Sequence, residues 1–413
     1  MKQIFKNARE ASRRLATLSD AERSAAIIRL AELTEANIAG LIAANAEDLS
    51  RMDRSNPLYD RLQLTESRLR AIASDLRHVA ALPSPVGEEI EHRTLPNGID
   101  LLRVRVPYGV IGVIYEARPN VTFDVFALCL KSGNASLLKG GRDAESSNRA
   151  AMELIRRALR ECGLPEDASQ LLPSTHEATA ELLNAVGYVD VCIPRGGRRL
   201  IDFVRDNARV PVIETGAGVV HAYIDSAADL DIARAVVNNA KTRRVSVCNA
   251  LDTMLIHHDR LADLPAIVAP LADCNVEIHA DDAALQALDG HYPAQLLVKA
   301  APEDFDTEWM DHKMGLRTVA SLDEALEHIA THGSGHSESI VTEDSAAADR
   351  FRNEADASCV YVNLPTSFTD GGQFGLGAEI GISTQKLGPR GPMGLREITT
   401  TKYLLTGRGQ IRP

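Results

Sequence analysis

Pro107-Tyr-Gly-Val-Ile-Gly-Val-Ile-Tyr115 opens the part of the chain that decides its fold. From residue 110 the run is continuously apolar, which is typical of a strand buried on both faces of a parallel sheet. A helix is predicted over residues 123–132, where Gly133 ends the pattern, and Ala135-Ser-Leu-Leu-Lys139 is the next predicted strand. This order of strand, helix and strand is the unit from which parallel sheets are built.

The same alternation continues through most of the chain. Further strands are predicted over residues 169–172, 189–193, 210–214, 254–256, 276–278, 339–342 and 359–363. Helices are predicted over residues 146–162, 176–185, 261–272 and 321–333. Strands that alternate with helices in this way predict an α/β fold with doubly wound parallel sheets, and 413 residues are enough for more than one such domain.

The two ends of the chain have a different character. Residues 2–82 are predicted to be helical, with a capping box at Ser19-Asp-Ala-Glu22. Asn97-Gly98 lies between two strand-like runs, which is a strong signal for a hairpin. The tail over residues 399–406 is also rich in strand-forming residues. The hairpin and the tail together are a candidate for a small sheet that joins subunits.

Composition excludes several classes of protein. The net charge of −12 argues against a surface for nucleic acid or anionic membrane, which would need a basic face. No apolar run approaches the ~18 residues of a membrane span, and the N-terminus lacks the apolar core of a secretory signal. The six cysteines form no CxxC pair, which favours reduced thiols in a cytoplasmic protein. No HExxH or similar histidine spacing occurs, so no metal is expected.

Cys248 is the candidate nucleophile. It lies in a short polar segment before the apolar run Met254-Leu-Ile256, with Lys241, Arg243 and Arg244 just upstream. Nearby positive charge lowers the pKa of a thiol and favours the reactive thiolate. Taken alone, a single cysteine is more often a small buried hydrophobe, and the remaining five cysteines are interpreted as packing residues.

Gly196-Gly197 is a candidate phosphate-binding turn. The pair follows a predicted strand and opens a predicted helix, the position where an open α/β sheet holds a phosphate on backbone N–H groups. The GxGxxG fingerprint of the ordinary dinucleotide fold is absent, so the two glycines alone are a weak signal.

The order of these motifs resembles the aldehyde dehydrogenase superfamily. The matching segments are Tyr115-Glu-Ala-Arg-Pro-Asn120, Leu137-Leu-Lys139-Gly-Gly141, Pro194-Arg-Gly-Gly197, Glu214-Thr-Gly216 and Ser246-Val-Cys248-Asn-Ala250. Within it, the segments over residues 319–329, 333–340, 374–385 and 390–395 resemble the γ-glutamyl phosphate reductase family. The resemblance covers nearly the whole chain.

The resemblance implies a role for each matching residue. It makes Cys248 the nucleophile, and the Asn120 side chain with the Cys248 backbone N–H the donors to an oxyanion. It places Lys139 at the adenosine ribose or its 2′-phosphate, Gly196 and Gly197 along the dinucleotide, and Glu308 near the nicotinamide ribose. Glu214 matches the hydrolytic base of oxidising relatives, and since a reductase has no thioester to hydrolyse, it is assigned to the cofactor site. Arg118, Arg244 and His336 are candidates for holding the phosphate or carboxylate of the substrate.

The resemblance also implies a domain plan and partners. The predicted NADP-binding domain comprises residues 1–87 and 106–229, the catalytic domain 230–388, and the oligomerisation element 88–105 and 389–413. The implied reaction is NADPH-dependent reduction of L-glutamyl 5-phosphate through a cysteine thioester. A homodimer or homotetramer is expected, with a glutamate kinase as a further candidate partner. The alternatives are another cysteine-dependent aldehyde or acyl-CoA dehydrogenase, and a catalytically silent oligomeric partner.

Overall fold

The computed structural model describes residues 1–54, 56, 59–116 and 118–412. The chain forms two compact units. The first comprises Met1–Thr215, Gly375–Gly381 and Met393–Pro413, and the second comprises Gly216–Phe374 and Ile382–Pro392. The chain passes between them at Gly216 rather than at the predicted residue 230, and the hairpin and part of the tail belong to the first unit. The assignment of one domain to NADP and the other to catalysis stays a prediction.

The described residues form helices and strands that are numbered here in chain order. The helices are α1 Lys2–Leu15, α2 Asp20–Ala36, α3 Ile38–Leu49, α4 Tyr59–Leu62, α5 Glu66–Ala81, α6 Asn120–Lys131, α7 Glu145–Glu161, α8 His176–Leu183, α9 Arg198–Asn207, α10 Leu230–Thr242, α11 Leu264–Asp273, α12 Asp282–Leu288, α13 Leu322–His332 and α14 Ser345–Glu354. The strands are β1 Glu89–Thr94, β2 Asp100–Pro107, β3 Val110–Tyr115, β4 Ala135–Gly140, β5 Ser169–Leu171, β6 Val191–Arg195, β7 His221–Ile224, β8 Thr253–His257, β9 Glu277–Ala280, β10 Leu297–Lys299, β11 Lys313–Val319, β12 Ser337–Val341, β13 Cys359–Val362, β14 Ile382–Ser383, β15 Gly391–Pro392 and β16 Thr399–Thr406.

The first unit is built on a parallel sheet with the strand order β5-β4-β3-β6. All six residues of β3 are buried, as its continuous apolar run predicts. The chain moves from β3 to β4 and β5 on one side, and then returns to place β6 on the other side of β3. This reversal of direction creates a switch point between β3 and β6, where open α/β sheets bind their ligands.

The N-terminal helices pack on this sheet. Ser19 caps α2 through the predicted capping box, and Thr65 caps α5. The apolar stripe of α1, which includes Ala8, Ala11 and Leu15, lies buried in the same hydrophobic core as β3 and β4. The prediction of a helical N-terminal region with a capping box at Ser19 is therefore confirmed.

A small antiparallel sheet has the order β1-β2-β16. The turn of its hairpin is at Asn97-Gly98, where the Gly98 N–H donates to the Leu95 carbonyl over 2.9 Å and Gly98 has a φ of 78°. The tail strand β16 pairs with β2 along its full length, so the predicted pairing of hairpin and tail is confirmed. Leu404 and Leu405 of β16 are exposed. That this sheet joins subunits stays a prediction.

The second unit is built on a parallel sheet of seven strands in the order β10-β9-β11-β8-β7-β12-β13. The strands β7, β10 and β11 were not predicted, because they are short or carry polar residues that only tertiary contacts bury. The strand predicted over residues 210–214 is wrong: it is reduced to one bridge between Val212 and Cys192. Pro211 has no N–H to give to a strand ladder, which accounts for the difference. Among the described helices, none combines the length and apolar character needed to cross a bilayer.

Candidate active site

The first sheet gathers three of the sequence motifs at one edge. Tyr115, the last residue of β3, is level with Gly140 of β4 on one side and with Arg195 of β6 on the other. Because the three strands are parallel, the segments that follow them leave the sheet at the same edge. The loop before Asn120, the Lys139-Gly-Gly141 segment and the Gly196-Gly197 turn therefore lie at neighbouring positions on this edge.

Lys139 lies near the end of β4 and is half-buried. Burial lowers the pKa of its ammonium group, and the neighbouring Arg142 lowers it further. A cavity of about 670 Å³ opens beside Gly140 and Gly141 and reaches the residues that follow β5. Its volume is that of a pocket for a small ligand. Lys139 is half-buried and Arg142 is exposed, and two cations this close in the chain favour an anionic group beside them.

The Gly196-Gly197 turn begins α9 as predicted. The Gly197 N–H donates to Oε2 of Glu116 over 2.9 Å, at the N-terminus of the helix. A Cβ on Gly196 would lie 2.6 Å from the same oxygen, so the carboxylate approaches the turn too closely for a side chain there. An anion of the chain itself thus occupies the position where the helix N-terminus favours negative charge. A phosphate bound at this turn would take the place of Glu116, to which no role was assigned from the sequence.

The remaining predicted residues of the first unit lie on α6 and near α9. Asn120 is the first residue of α6, and its Nδ2 donates to Oδ2 of Asp124 over 3.0 Å. Burial raises the pKa of Asp124 to about 6, against the opposing effects of Arg195 and the bond from Asn120. Arg118 is half-buried in the loop before α6. Oε2 of Glu214 lies 3.7 Å from Nη1 of Arg205, so its observed partner is a surface cation.

In the second unit, Cys248 lies in a turn between the end of α10 and the start of β8, and it is half-buried. It therefore stands before a strand of the buried sheet, as predicted. The six cysteines are reduced, and Cys129, Cys192 and Cys359 are buried, in agreement with a packing role. Cys162 is half-buried, and the prediction is wrong for Cys274, which is exposed just after α11. Burial raises the pKa of the Cys192 thiol to about 12, which keeps that thiol unreactive.

The backbone of Cys248 is in direct contact with Gly218. A Cβ on Gly218 would overlap the carbonyl oxygen of Cys248 and would lie 2.7 Å from its carbonyl carbon. The Gly218 N–H donates to Oε1 of Glu308 over 3.1 Å. The structure therefore brings Cys248, Gly218 and Glu308 together within the second unit. Gly218 was missed from the sequence, although the pair Gly216-Ala-Gly218 was a visible signal for close backbone approach.

Asn249 holds the turn of Cys248 from its other side. Its side chain is buried, and Nδ2 donates to the carbonyl of Thr369 over 2.9 Å. The hydroxyl of Thr366 donates back to the Asn249 carbonyl over 2.9 Å. Because both bonds reach a loop more than a hundred residues away in sequence, the position of the thiol is set by tertiary structure.

The loop that holds Asn249 also contacts Ser337, which in turn contacts His336. Oγ of Ser337 lies 2.8 Å from Nδ1 of His336 and 2.6 Å from Oγ1 of Thr369. His336 is fully buried, and burial lowers the pKa of its ring to about 4. The ring is therefore neutral at pH 7. A role in holding an anion would rest on its Nε2–H as a hydrogen-bond donor, since Nε2 has no partner among the described residues.

The three cations upstream of Cys248 occupy different environments. Lys241 is fully buried and its Nζ donates to the carbonyl of Leu251 over 3.0 Å. Burial lowers the pKa of Lys241 to about 8. Arg243 and Arg244 are exposed just after α10, so Arg244 is accessible to a substrate anion, as its predicted role requires. On the described residues, ligand atoms of His257, His258 and Asp259 lie within 4.8 Å of one another, but at the opposite end of β8 from Cys248.

The fold and these motifs agree with known proteins. The model of the aldehyde dehydrogenase family matches residues 1–283. A gamma-glutamyl phosphate reductase of Chlorobium chlorochromatii is 58% identical over 403 residues, which cover 98% of this chain and 96% of that protein. The crystal structure of gamma-glutamyl phosphate reductase from Thermotoga maritima superposes with a TM-score of 0.94 at 41% identity, covering 100% of this chain and 99% of that one. An acetylating aldehyde dehydrogenase of Geobacillus thermoglucosidasius, at 17% identity and a TM-score of 0.72, shares the fold over 100% of this chain and 97% of its own.

The chain therefore belongs to the aldehyde dehydrogenase family, and within it to the gamma-glutamyl phosphate reductases. It is an α/β protein of the aldehyde dehydrogenase fold, as the sequence predicts. This family implies oxidoreductase chemistry with a nicotinamide cofactor.

Proposed function

We propose that the chain reduces L-glutamyl 5-phosphate to L-glutamate 5-semialdehyde and phosphate, the second step of proline biosynthesis from glutamate. The placement of Cys248 is the observation that carries this proposal. The thiol is half-buried in a turn whose backbone is held by Gly218 on one side and by Asn249 on the other. The choice of substrate is supported by relatives named gamma-glutamyl phosphate reductase, which are more than half identical over nearly the whole chain.

The cofactor proposed for this reaction is NADPH, which supplies the hydride when bound. Lys139 and the Gly196-Gly197 turn are the residues proposed to hold it. The half-buried cation of Lys139 would pair with a 2′-phosphate, and the N–H of Gly197 already binds an anionic oxygen of the chain. Glu308 and Glu214 are further candidates for the cofactor site.

The covalent chemistry is assigned to Cys248. Its thiolate attacks the acyl carbon, the bond from that carbon to the phosphate oxygen breaks, and phosphate leaves with the electron pair. The acyl group is then held as a thioester. The backbone N–H of Cys248 is the proposed donor to the oxyanion of the tetrahedral intermediate, and one such donor is typically worth about 3 kcal/mol of barrier. After reduction, the carbon–sulfur bond breaks, the aldehyde leaves and the thiolate returns.

The test is the reaction in reverse, with the semialdehyde, NADP and inorganic phosphate as reactants. NADPH formation should require phosphate, and Cys248→Ser should abolish it while the variant keeps the melting temperature of the wild type. Oxidation of the semialdehyde that proceeds equally well without phosphate would favour a hydrolytic aldehyde dehydrogenase instead. Oxidation that requires coenzyme A would favour an acylating dehydrogenase.

A further inference from the structure

Four consecutive backbone N–H groups next to Cys248 each donate to a side chain. Residues 218–221, here called the strap, give these bonds in order. Gly218 donates to Oε1 of Glu308 (3.1 Å), Val219 to Oγ of Ser334 (2.9 Å), Val220 to Oδ2 of Asp252 (3.3 Å) and His221 to Oε2 of Glu338 (3.1 Å). Backbone donors usually bond to other backbone groups, so a run held by four side chains is a specific arrangement.

The strap packs directly against the backbone of Cys248. Gly218, its first residue, approaches the carbonyl of Cys248 so closely that a Cβ would overlap it. Any movement of the strap is therefore transmitted to the backbone of Cys248, because close-packed atoms leave no space to absorb it.

Asp252 is the residue that holds the strap in two ways. Oδ2 accepts from the Val220 N–H, and the N–H of Asp252 donates back to the Val220 carbonyl over 3.0 Å. Oδ1 accepts from the N–H of Trp309 over 2.9 Å. Trp309 follows Glu308, which binds Gly218. One side chain thus fixes the strap directly at Val220 and, through Trp309 and Glu308, at Gly218.

Because Asp252 is buried, its carboxyl oxygens need hydrogen-bond partners within the protein. Its side chain is only 2% exposed, and a buried carboxyl group is stable only when its oxygens are hydrogen-bonded. The buried ammonium of Lys241 provides the opposite charge that acts on it. Burial raises the pKa of Asp252, and Lys241 opposes this effect. A group of this kind, four residues after the nucleophile in sequence, has no role in the chemistry of the proposed reaction itself.

We infer that Asp252 is a positioning residue for Cys248: it holds the strap against the nucleophile and so sets where the thiol stands when it attacks. This inference rests on the proposed role of Cys248 as the nucleophile. Its physical basis is that a displacement of about 1 Å at a reacting group can reduce a rate by about 10²-fold.

The variants Asp252→Asn and Asp252→Ala give a graded test. Asparagine keeps one acceptor oxygen of the two, so either Val220 or Trp309 loses its partner, and alanine removes both. We expect kcat to fall by about 10²-fold in the alanine variant and by about tenfold in the asparagine variant, with the KM for the substrate unchanged within about twofold. The rate at which iodoacetamide alkylates Cys248, followed by mass spectrometry of its peptide, should change in the same order.

Asp281→Asn is the matched control. Asp281 lies at the carboxyl end of β9 in the same sheet, whereas Asp252 lies at the amino end of β8. Its carboxylate accepts from the N–H of Thr318 (2.6 Å) and from the N–H of Ala284 (2.9 Å). This variant should lose stability but keep kcat and the alkylation rate of Cys248.

These outcomes test the positioning role of Asp252 separately from the proposed function. Unchanged kcat and alkylation in folded Asp252 variants would overturn the inference, and so would an equal loss in Asp281→Asn. The alkylation rate needs neither substrate nor cofactor. If the wild type failed to turn over the acyl phosphate while the Asp252 variants still changed the reactivity of Cys248, the proposed function would fail and the positioning role would stand.

Discussion

The contact between Gly218 and Cys248 can be tested by adding a single methyl group. In Gly218→Ala, the new Cβ would lie 2.7 Å from the carbonyl carbon of Cys248 and 3.1 Å from its Cα. The same Cβ would overlap the carbonyl oxygen of Cys248, whereas non-bonded carbon and oxygen atoms stay at least about 3.3 Å apart, so the two backbones must separate by roughly 1.5 Å or more. Because residues 218–221 are held by side chains of the same unit, much of this movement falls on Cys248.

A displacement of this size predicts a large effect on rate and a smaller one on stability. We expect kcat to fall by about 10²-fold, which is about 3 kcal/mol of barrier. Overpacking should destabilise the fold by about 1–3 kcal/mol, which leaves the protein folded at 25 °C. The assay is kcat with saturating semialdehyde, NADP and phosphate, together with a thermal melt and the alkylation rate of Cys248.

Gly40→Ala provides the control for the change of glycine to alanine. Gly40 lies inside α3, and a Cβ there would meet nothing within 4 Å. This variant should keep full activity and gain up to about 1 kcal/mol of stability from helix propensity. Wild-type kcat in a folded Gly218→Ala variant would refute the argument that this contact positions the thiol.

Two further changes test the cofactor site and the buried histidine. Lys139→Ala should raise the KM for NADPH by about tenfold and leave that for NADH nearly unchanged, because a charge-assisted bond to a 2′-phosphate is lost; an unchanged ratio of the two KM values would remove Lys139 from the phosphate. Burial lowers the pKa of His336 from 6.5 to about 4, so the unfolded chain takes up a proton at a higher pH than the folded protein does. The folded state therefore loses about 3 kcal/mol of stability as the pH falls from 6.5 to 4. In urea titrations at pH 7.5 and 4.5, His336→Asn should lose less stability than the wild type, and parallel losses would contradict this account.

The strands that could be predicted are those with long apolar runs. The apolar runs of β3, β4 and β8 are buried within the sheets, and their sequences predict them. In contrast, β7 begins with His221, whose ring Nδ1 lies 3.0 Å from Oε2 of Glu338 in the neighbouring strand β12. A buried histidine and a buried glutamate compensate each other only after the two strands have paired, so neither sequence pattern indicates a core strand by itself.

Some residues of the candidate site could be predicted from the sequence, and others could not. The motifs around Lys139 and Gly197 lie at the ends of elements, and Cys248 lies in the turn before β8, so local patterns of strand, turn and helix predict them. Residues 218–221, Asp252 and Glu308 are far apart in sequence, and their bonds exist only in the folded unit. The placement of Glu116 against Gly197 was equally hidden, because a carboxylate near a glycine turn has no sequence pattern of its own.

The proposed mechanism requires Cys248 to carry the acyl group between its two reactions. A rapid-mixing experiment with semialdehyde and NADP, without phosphate, tests it most directly. We expect a burst of NADPH equal in amount to the active sites, then near arrest until phosphate is added, because the thioester at Cys248 has no acceptor. Cys248→Ser should show no burst. Steady NADPH formation without phosphate, or a burst that survives in Cys248→Ser, would show that Cys248 does not carry the acyl group.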